Sequence, residues 1–380
     1  MILFVSYGGG HVTMIYRIYN YFKSQGIGCL LLPLTTGIKY VIDQGIEDYI
    51  ELNKLYKIDS IPLAWKEFID SEVNNNHKRE LGIPFDHTLA YYSIGLTGLF
   101  EELGFEKGKQ EYLANGRKAF IYDKFARQAL QDIKPSAVFV TNVARMERAF
   151  VRAAREKEIP SFAIDDLFGV PHEPLEADLI FVDNDVAKRN LLAANSNLKI
   201  IVSGNPVFDD ISRSKSLIRN NAELLIVLQT GIRNLKSGEV RQFDKNFYER
   251  FFQCIQPGFC NFTKIHVRFH PSMKEQVYWE EASNIVIDRK SKIQDTISKV
   301  EFALGMSSTG LYEAYLAGCK CYAFEFDDDF FRLPIRASGH ISLEGQCSFA
   351  FEHYSQCENV REGNSIQLIY KSVKDALSNN

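Results

Sequence analysis

The chain has 380 residues, of which 46% are hydrophobic and 24% charged, a composition typical of a globular protein with more than one core. Its net charge is −4, with no dense basic run, which disfavours a nucleic-acid partner. Seven cysteines at irregular spacing argue against a disulfide framework and for a reducing compartment, so we expect a cytoplasmic protein.

The first half of the chain alternates between strand-like and helical patterns. The apolar run at residues 2–6 predicts a first β-strand rather than a signal peptide, and a helix at 12–25 follows it. Residues 38–132 are mostly helical in pattern. Further strands are predicted at 29–34, 137–141, 161–164, 179–182 and 200–203, and further helices at 144–156 and 185–194.

A second series of the same kind begins after Gly204-Asn205-Pro206, which interrupts the alternation. Its strands are predicted at 224–229, 264–268, 285–288, 302–304 and 321–324, and its last helix at 365–377. The sequence therefore predicts an α/β protein with two doubly wound parallel sheets. The domains are residues 1–204, with a helical insertion at about 38–132, and residues 205–380, whose last helix can pack back on the first domain. No stretch is long and apolar enough for a membrane span, although peripheral membrane association stays open.

The turn Gly8-Gly9-Gly10-His11 joins the first strand to the first helix. Glycines let the backbone approach a ligand closely, which makes Gly9, Gly10 and His11 candidates for contacting an acceptor or a sugar. The spacing is not that of a dinucleotide fingerprint, and a plain tight turn is the alternative.

Two adjacent carboxylates, Asp165 and Asp166, follow the strand predicted at 161–164. Like charges this close raise the pKa of one of them, which suits a general base near neutral pH. One of the two can instead cap the loop, and the sequence does not separate their roles.

Basic and small residues end two strands of the second half. Alternation sends His266, Arg268 and His270 to one side of their strand, where a positive cluster can neutralise a phosphate leaving group, although His266 alone can be a packed residue. Thr230 and Gly231 with Arg233 can present N–H groups and a guanidinium to a diphosphate, or form an ordinary strand-to-helix turn.

The strongest single signal is a strand that runs into Ser307-Ser308-Thr309-Gly310 and then into a helix. A helix N-terminus offers free N–H groups and a positive dipole to a phosphate, and Glu313, about one turn further on, can accept from a ribose hydroxyl. An ordinary helix capped by Ser307 or Ser308 is the alternative.

Neither candidate for a metal site is convincing. Cys319 and Cys321 lack a second pair and are better explained as buried thiols. The acidic run at residues 327–329 is better explained as a solvated loop. We therefore expect no metal and no other cofactor.

In their order, these motifs resemble the two-domain GT-B glycosyltransferase superfamily, in particular the branch shared with UDP-N-acetylglucosamine 2-epimerases. Residues 177–209 are similar to that branch's interdomain stretch, residues 230–234 take the place of its T-x-H-R-R-E-N motif, and His270-Pro271 matches its HP. Ser307 to Gly310 with Glu313 take the place of its S-G-G plus Glu segment. The likeness covers about two thirds of the chain and implies two Rossmann-like domains that face each other across a cleft.

The chain departs from the epimerases at the residues that carry acids and bases. Their H-G-D-T becomes Thr141-Asn142-Val143-Ala144, their E-A-G-x-R becomes residues 165–169, and Ile232 replaces the histidine of T-x-H-R-R-E-N. An acidic pair before a glycine, an HP and a Ser-Ser pair also resemble bacterial GT-B sialyltransferases and their relatives that use CMP-activated nonulosonic acids or Kdo. That resemblance implies an acidic general base, with His270 and the serines holding the CMP phosphate.

The resemblance thus implies an inverting glycosyltransferase that moves a sugar from a CMP-nonulosonate, a Kdo-like donor or a UDP-sugar to a glycan or glycolipid, in surface polysaccharide biosynthesis such as that of lipopolysaccharide or capsule. The donor would be held by His270, Pro271, Ser307, Ser308 and Thr309. If the protein associates peripherally with a membrane, we expect it on the cytoplasmic face. The alternatives are a sugar-nucleotide epimerase or hydrolase and a catalytically degenerate binding subunit. The oligomeric state stays open.

Overall fold

The structure, a computed structural model, divides the chain into two compact units. It describes residues 1–56, 61–141, 144–166, 168–170, 174–213, 222–235, 237, 239–270, 273, 284–288, 292–326, 330–343, 347–357 and 363–378. The first unit comprises residues 1–207 and 364–380, and the second comprises residues 208–363. The C-terminal helix is therefore part of the first unit.

A six-stranded parallel sheet forms the centre of the first unit, in the order β2-β1-β3-β4-β5-β6. Its strands are β1 (Ile2–Ser6), β2 (Cys29–Pro33), β3 (Ala137–Val140), β4 (Ser161–Ile164), β5 (Leu179–Val182) and β6 (Ile200–Val202). Each lies within a residue or two of a predicted strand, because short apolar runs bounded by turns are typical of strands buried on both faces.

Helices connect these strands, and several form the predicted helical insertion. They are α1 (Gly10–Ser24), α2 (Gly37–Asp43), α3 (Leu52–Leu55), α4 (Leu63–Asn76), α5 (Phe85–Leu103), α6 (Phe105–Asn115), α7 (Asp123–Ile133), α8 (Met146–Glu156) and α9 (Asp185–Ala194). In the described part of the chain, no helix combines the length and the apolar character needed to cross a bilayer.

Alternation along β1 shows why the sheet is covered on both sides. Leu3 and Val5 belong to one hydrophobic cluster, whereas Ile2 and Phe4 belong to another on the opposite face. The ring of Phe139 stacks on that of Phe4 at 5.4 Å. Burial of a side chain of this size contributes about 1.5–3 kcal/mol. With both faces filled, polar side chains can gather only where the strands end.

The last helix, α14 (Ser365–Ser378), closes one face of this unit. Ile369 and Val373 are buried in the same cluster as Phe4, and the Tyr370 ring meets that of Phe22 at 5.2 Å. These apolar residues recur at helical spacing, which explains why the helix returns to the first unit after the second unit is complete.

The second unit contains a seven-stranded sheet in the order β11-β10-β7-β12-β13-β14-β15 and a separate ribbon, β8-β9. The strands are β7 (Glu223–Val227), β8 (Gly231–Arg233), β9 (Val240–Gln242), β10 (Lys264–Arg268), β11 (Ile285–Asp288), β12 (Phe302–Gly305), β13 (Lys320–Glu325), β14 (Ala337–Ile341) and β15 (Cys347–Phe349). The helices are α10 (Pro206–Arg213), which starts at the end of the first unit, α11 (Lys245–Ile255), α12 (Ile293–Ile297) and α13 (Thr309–Leu316).

Two features of this unit differ from the prediction. The sheet is not wholly parallel, since β15 pairs with β14 in the antiparallel direction. The segment at Thr230 and Gly231 does not turn into a helix but enters the antiparallel ribbon, where a side chain at Gly231 would overlap the carbonyl oxygen of Arg241. Both differences involve short strands with few apolar residues, which give little periodic signal.

The sequence argues against a disulfide framework, and the structure contains a disulfide at one pair of cysteines. Cys254 at the end of α11 and Cys347 in β15 form a disulfide, although they lie 93 residues apart in sequence. Cys319 and Cys321 are buried thiols, as expected. The pairing could not be foreseen because it depends on a strand, β15, that the sequence did not predict.

Candidate functional site

Each sheet has a switch point where its strand order reverses, and ligands of doubly wound folds bind at the carboxyl ends of the strands beside such a point. In the first unit β1 lies between β2 and β3, and in the second unit β7 lies between β10 and β12. The candidate residues of the sequence follow these strands and β4. We describe the two carboxyl edges in turn.

At the edge of the first sheet, a histidine and an aspartate from different segments come together. His11 lies in the first turn of α1, just after β1, and Asp166 follows β4. Nδ1 of His11 is 3.4 Å from Oδ2 of Asp166, and the two side chains are 32% and 21% exposed. A partly exposed carboxylate is accessible to a substrate hydroxyl and can act as a general base.

The structure separates Asp165 from Asp166. Asp165 is 1% exposed, and its Oδ2 accepts a 2.6 Å hydrogen bond from the backbone N–H of Gly169. Gly169 itself has a φ of 77° and no room for a side chain, because a Cβ there would overlap the carbonyl oxygen of Ala187. Asp165 therefore holds the loop in place, whereas Asp166 is partly exposed beside His11.

A buried glutamate beneath this pair was not predicted. Oε1 of Glu147 accepts a 2.6 Å hydrogen bond from the Thr141 hydroxyl and a 3.3 Å bond from the Tyr7 N–H. Oε2 has no hydrogen-bond partner among the residues that the structure describes. Burial raises the pKa of Glu147, while the neighbouring His11 charge lowers it. The only sequence signal was an acidic residue in a first helical turn, which is also an ordinary way to start a helix.

A cavity of about 480 Å³ lies beside His11 in the first unit. It is lined by Tyr7, Gly8, His11, Thr35, Thr36, Asn76, Lys78, Leu81, Ile83, His87, Thr88, Tyr91, Tyr92, Arg117 and Arg145. The turns after β1 and β2 and the segment after β3 contribute one wall, and α5 contributes another through positions spaced by one helical turn. Sequence analysis identified only His11 among these residues.

The two glycines predicted to contact a ligand, Gly9 and Gly10, precede His11 of this cavity in the sequence. Gly9 has a φ of 71°, which favours glycine, and Gly10 begins α1. A Cβ added at either glycine would meet no atom within 4 Å, so both are open to a ligand. Gly8, by contrast, is needed for packing, because a Cβ there would overlap Thr36.

At the edge of the second sheet, Gln229 ties two strand ends together. Its Nε2 donates to the Ser307 hydroxyl at 2.9 Å, and its Oε1 accepts from the Ser307 N–H at 2.9 Å. Tyr248 donates its hydroxyl hydrogen to the Gln229 carbonyl oxygen. The loop after β12 is thereby fixed to the loop after β7, a positioning role for Gln229 that the sequence did not show.

The start of α13 combines a cap with an open position. The Ser308 side chain accepts from the Gly310 N–H at 3.2 Å, which makes Ser308 the N-cap. Thr309 is exposed at the first helical position, where an N–H has no partner within the helix. The capping alternative thus accounts for Ser308, whereas Thr309 is an exposed residue at a helix N-terminus, the kind of position where proteins often bind an anion.

The three basic residues predicted to lie together, two in β10 and one after it, have different surroundings. His266 is buried, with its Nε2 2.9 Å from Oε2 of Glu223, so it is a packed residue. Arg268 donates to Asp288 at 3.0 Å. His270 is exposed, and partial desolvation lowers its pKa, which favours the neutral imidazole at neutral pH.

The remaining donor-side candidates have mixed surroundings. Glu313 accepts from Gln294 at 2.8 Å, and burial raises its pKa. Gly231 accepts from the Gln229 side chain through its carbonyl at 2.8 Å, and burial lowers the pKa of Arg233. Pro271 and the acidic run at 327–329 lie outside the described residues. In the described ranges, no group of three or more His, Cys, Asp or Glu side chains is placed to hold a metal ion.

Comparison with solved structures identifies the fold. UDP-GlcNAc 2-epimerase from Neisseria meningitidis, bound to UDP-GlcNAc, is 13% identical, matches 98% of this chain and 99% of its own, and has a TM-score of 0.53. The enzyme from Methanocaldococcus jannaschii is 12% identical over 98% of this chain and 99% of its own, with a TM-score of 0.52. Its complex with UDP-GlcNAc and UDP is 14% identical over 99% and 100%, with a TM-score of 0.50. Neither a protein-family model nor a curated protein sequence matches the chain. The chain therefore has the GT-B fold, as its motifs predict.

Proposed function

We propose that the protein is a glycosyltransferase that moves a sugar from a nucleotide-activated donor to a hydroxyl group of a glycan or glycolipid acceptor. The observation that carries the proposal is the His11–Asp166 pair, a partly exposed carboxylate and an imidazole 3.4 Å apart at the carboxyl edge of the first sheet. Deprotonation of an acceptor hydroxyl is the chemistry that this pair suits best.

In the proposed reaction, Asp166 takes the proton of the acceptor hydroxyl, and His11 balances the carboxylate charge. The acceptor oxygen forms a bond to the anomeric carbon of the donor, the bond from that carbon to the phosphate oxygen breaks, and the anomeric configuration inverts. The nucleotide leaves with its phosphate negatively charged, and the proton ends on Asp166.

The second unit would bind the donor. The exposed Thr309 at the start of α13 and the exposed imidazole of His270 would hold the phosphate, and the Gln229–Ser307 hydrogen bonds keep their loop rigid. Glu313 would accept from the ribose. Solved proteins of the same fold hold UDP-GlcNAc or UDP, which supports a nucleotide-sugar ligand here. UDP- and CMP-activated donors both remain candidates.

Isothermal titration of the full chain with UDP, CMP, GDP and CDP tests the donor site. We expect one nucleotide to bind, and His270→Ala to weaken its binding about tenfold, since a hydrogen bond to a charged group contributes about 1.5–3 kcal/mol. His353→Ala, at another exposed histidine of the same unit, is the matched control and should bind normally. Failure of all four nucleotides to bind would contradict the proposal.

A sugar-nucleotide 2-epimerase is the second candidate, because the similar solved structures are epimerases. Two observations weigh against it. Ile232, at the place of the epimerase histidine, is only 2% exposed and packs in the hydrophobic cluster of the second unit. Thr141, at the place of the H-G-D-T motif, is fully buried and bonded to Glu147. A C2-inverted product formed without any acceptor would favour the epimerase.

A further inference from the structure

The cavity of the first unit has a charge opposite to that of the protein as a whole. The chain carries 44 basic and 48 acidic residues, yet the cavity is lined by Lys78, Arg117 and Arg145, with no Asp or Glu among its described lining residues. None of the three cations forms an ion pair with a carboxylate in the part of the chain that the structure describes. The cavity is therefore lined by three positively charged side chains and by no negatively charged one among its described residues.

A buried histidine in the same wall also lacks partners. His87 is 0% exposed, lines the cavity from α5, and has no hydrogen-bond partner for Nδ1 or Nε2 among the described residues. Desolvation lowers its pKa to about 4, so the ring is neutral at neutral pH and can donate one hydrogen bond. Buried polar groups are rarely left without a partner, which indicates that a ligand atom completes this one.

The other residues of the cavity wall indicate the chemical class of that ligand. Arg145 has a φ of 51°, unusual for a residue other than glycine, and its guanidinium lies 4.8 Å from the centre of the Tyr7 ring. Backbone strain of this kind costs about 1–3 kcal/mol and is found mainly where function requires it. The hydroxyls of Tyr7 and Tyr91 are 3.2 Å apart, and Thr88 and Tyr92 line the same wall. Aromatic rings and hydroxyl groups together suit a sugar.

One acidic residue of α4, the helix that contributes Asn76 to the wall, already has hydrogen-bond partners. Glu72, one turn before Asn76 on α4, accepts from the Tyr112 hydroxyl at 2.9 Å and from Asn76 at 3.4 Å. Glu72 does not line the cavity beside Lys78 and Arg117.

We propose that this cavity binds the acceptor, and that the acceptor is an acidic sugar whose carboxylate or phosphate pairs with Arg117, Arg145 and Lys78. This proposal rests on the transferase function proposed above. It adds the chemical class of the acceptor and the four residues that would select it, which are Lys78, His87, Arg117 and Arg145. The anionic group would anchor the acceptor with a hydroxyl next to Asp166.

Binding to the full chain without any donor tests the proposal. The probes are the methyl glycoside of N-acetylneuraminic acid, which carries a carboxylate, glucose 6-phosphate, and neutral methyl glucoside. We expect at least one acidic probe to bind at least tenfold more tightly than the neutral one, because charge-assisted hydrogen bonds are about twice as strong as neutral ones. Comparison of the Kd values of the carboxylate probe and the phosphate probe identifies which anion is recognised. Equal Kd values for acidic and neutral probes would overturn the proposal.

Variants locate the binding. Arg117→Gln, at an exposed residue, should raise the Kd of the acidic probe at least tenfold without changing the Kd of the neutral one. Arg127→Gln, at an arginine of α7 outside the cavity, is the matched control and should leave both unchanged. His87→Leu should also weaken the acidic probe. An unchanged Kd in both Arg117→Gln and His87→Leu would overturn the proposal.

The outcome is separable from that of the transferase proposal. Binding of an acidic probe with no sugar transfer from any nucleotide sugar would contradict the transferase function and leave the anion site standing. Transfer to neutral acceptors, with acidic ones unused, would contradict the acidic acceptor and leave the transferase standing.

Discussion

The carboxyl edges of the two sheets use polar residues in opposite ways. In the second unit the polar groups satisfy one another, as Gln229 does with Ser307 and Ser308 with Gly310. In the first unit Glu147 and His87 keep buried atoms without a hydrogen-bond partner among the described residues. Unsatisfied buried groups reduce stability, so they persist where a ligand or a reaction uses them. A satisfied edge suits a rigid phosphate site, whereas an unsatisfied edge suits the chemical step.

The largest expected effect is that of the proposed base. Asp166→Asn should lower kcat for sugar transfer by about 100-fold or more, since general base catalysis contributes about 10²–10⁴-fold. The Kd of the nucleotide should not change, because the proposed nucleotide site lies on the other unit. Steady-state transfer and titration together measure the two quantities. Asp43→Asn, at an exposed aspartate of α2, should behave like wild type. A kcat within threefold of wild type for Asp166→Asn would remove Asp166 from the mechanism.

The unpartnered histidine should make the first unit sensitive to acid. The pKa of His87 falls from 6.5 to about 4 on folding, so the unfolded chain binds a proton that the folded chain does not. Stability attributable to this group is full above pH 6.5 and declines as the pH falls toward 4, by about 3 kcal/mol in total. Urea unfolding of wild type and His87→Leu between pH 7.5 and 4.5 measures the difference. His87→Leu should lose this part of the pH dependence, and identical slopes would show that the ring is protonated in the folded protein.

A smaller effect on stability should test the loop that Asp165 holds. Gly169→Ala should destabilise the protein by about 1–3 kcal/mol, because the position has a positive φ and no space for a Cβ. Chemical unfolding measures the loss. Gly10→Ala, where a Cβ meets nothing within 4 Å, is the matched control and should be close to neutral. If Gly169→Ala were as stable as wild type, the loop that Asp165 holds would not be formed as described.

The smallest expected effect is on the stability of the second unit, whose polar groups at the carboxyl edge are hydrogen-bonded to one another. Ser308→Ala should destabilise the second unit by about 1 kcal/mol through loss of the cap on α13. Ser298→Ala, at an exposed serine that follows α12, should change stability by less than about 0.5 kcal/mol. Thermal unfolding can rank the two. A larger loss in Ser298→Ala would show that Ser308 does not cap the helix.

The sequence predicted the parallel strands well because those strands are buried on both faces and form continuous apolar runs, as Ile2–Ser6 and Leu179–Val182 do. It missed β8, β9, β14 and β15, which are short and carry few apolar residues. Fold recognition required only the order of the strongly periodic elements and the motifs after them.

The site was harder to predict because it depends on contacts between distant segments. Asp165 and Asp166 look alike in sequence, and only the Gly169 N–H and the His11 ring distinguish them. His87 and Arg117 lie in helical patterns where a charged or polar residue normally faces solvent. Nothing in their spacing shows that the chain brings them to one cavity.

The most direct test of the account is product analysis with a panel of UDP- and CMP-activated sugars, with and without acidic sugar acceptors, by mass spectrometry and NMR. We predict that one donor yields free nucleotide and an inverted glycoside only when the acceptor is present, and that Asp166→Asn nearly abolishes both products. Conversion of the donor to its C2 epimer in the absence of an acceptor, or an Asp166→Asn variant that transfers as fast as wild type, would contradict it.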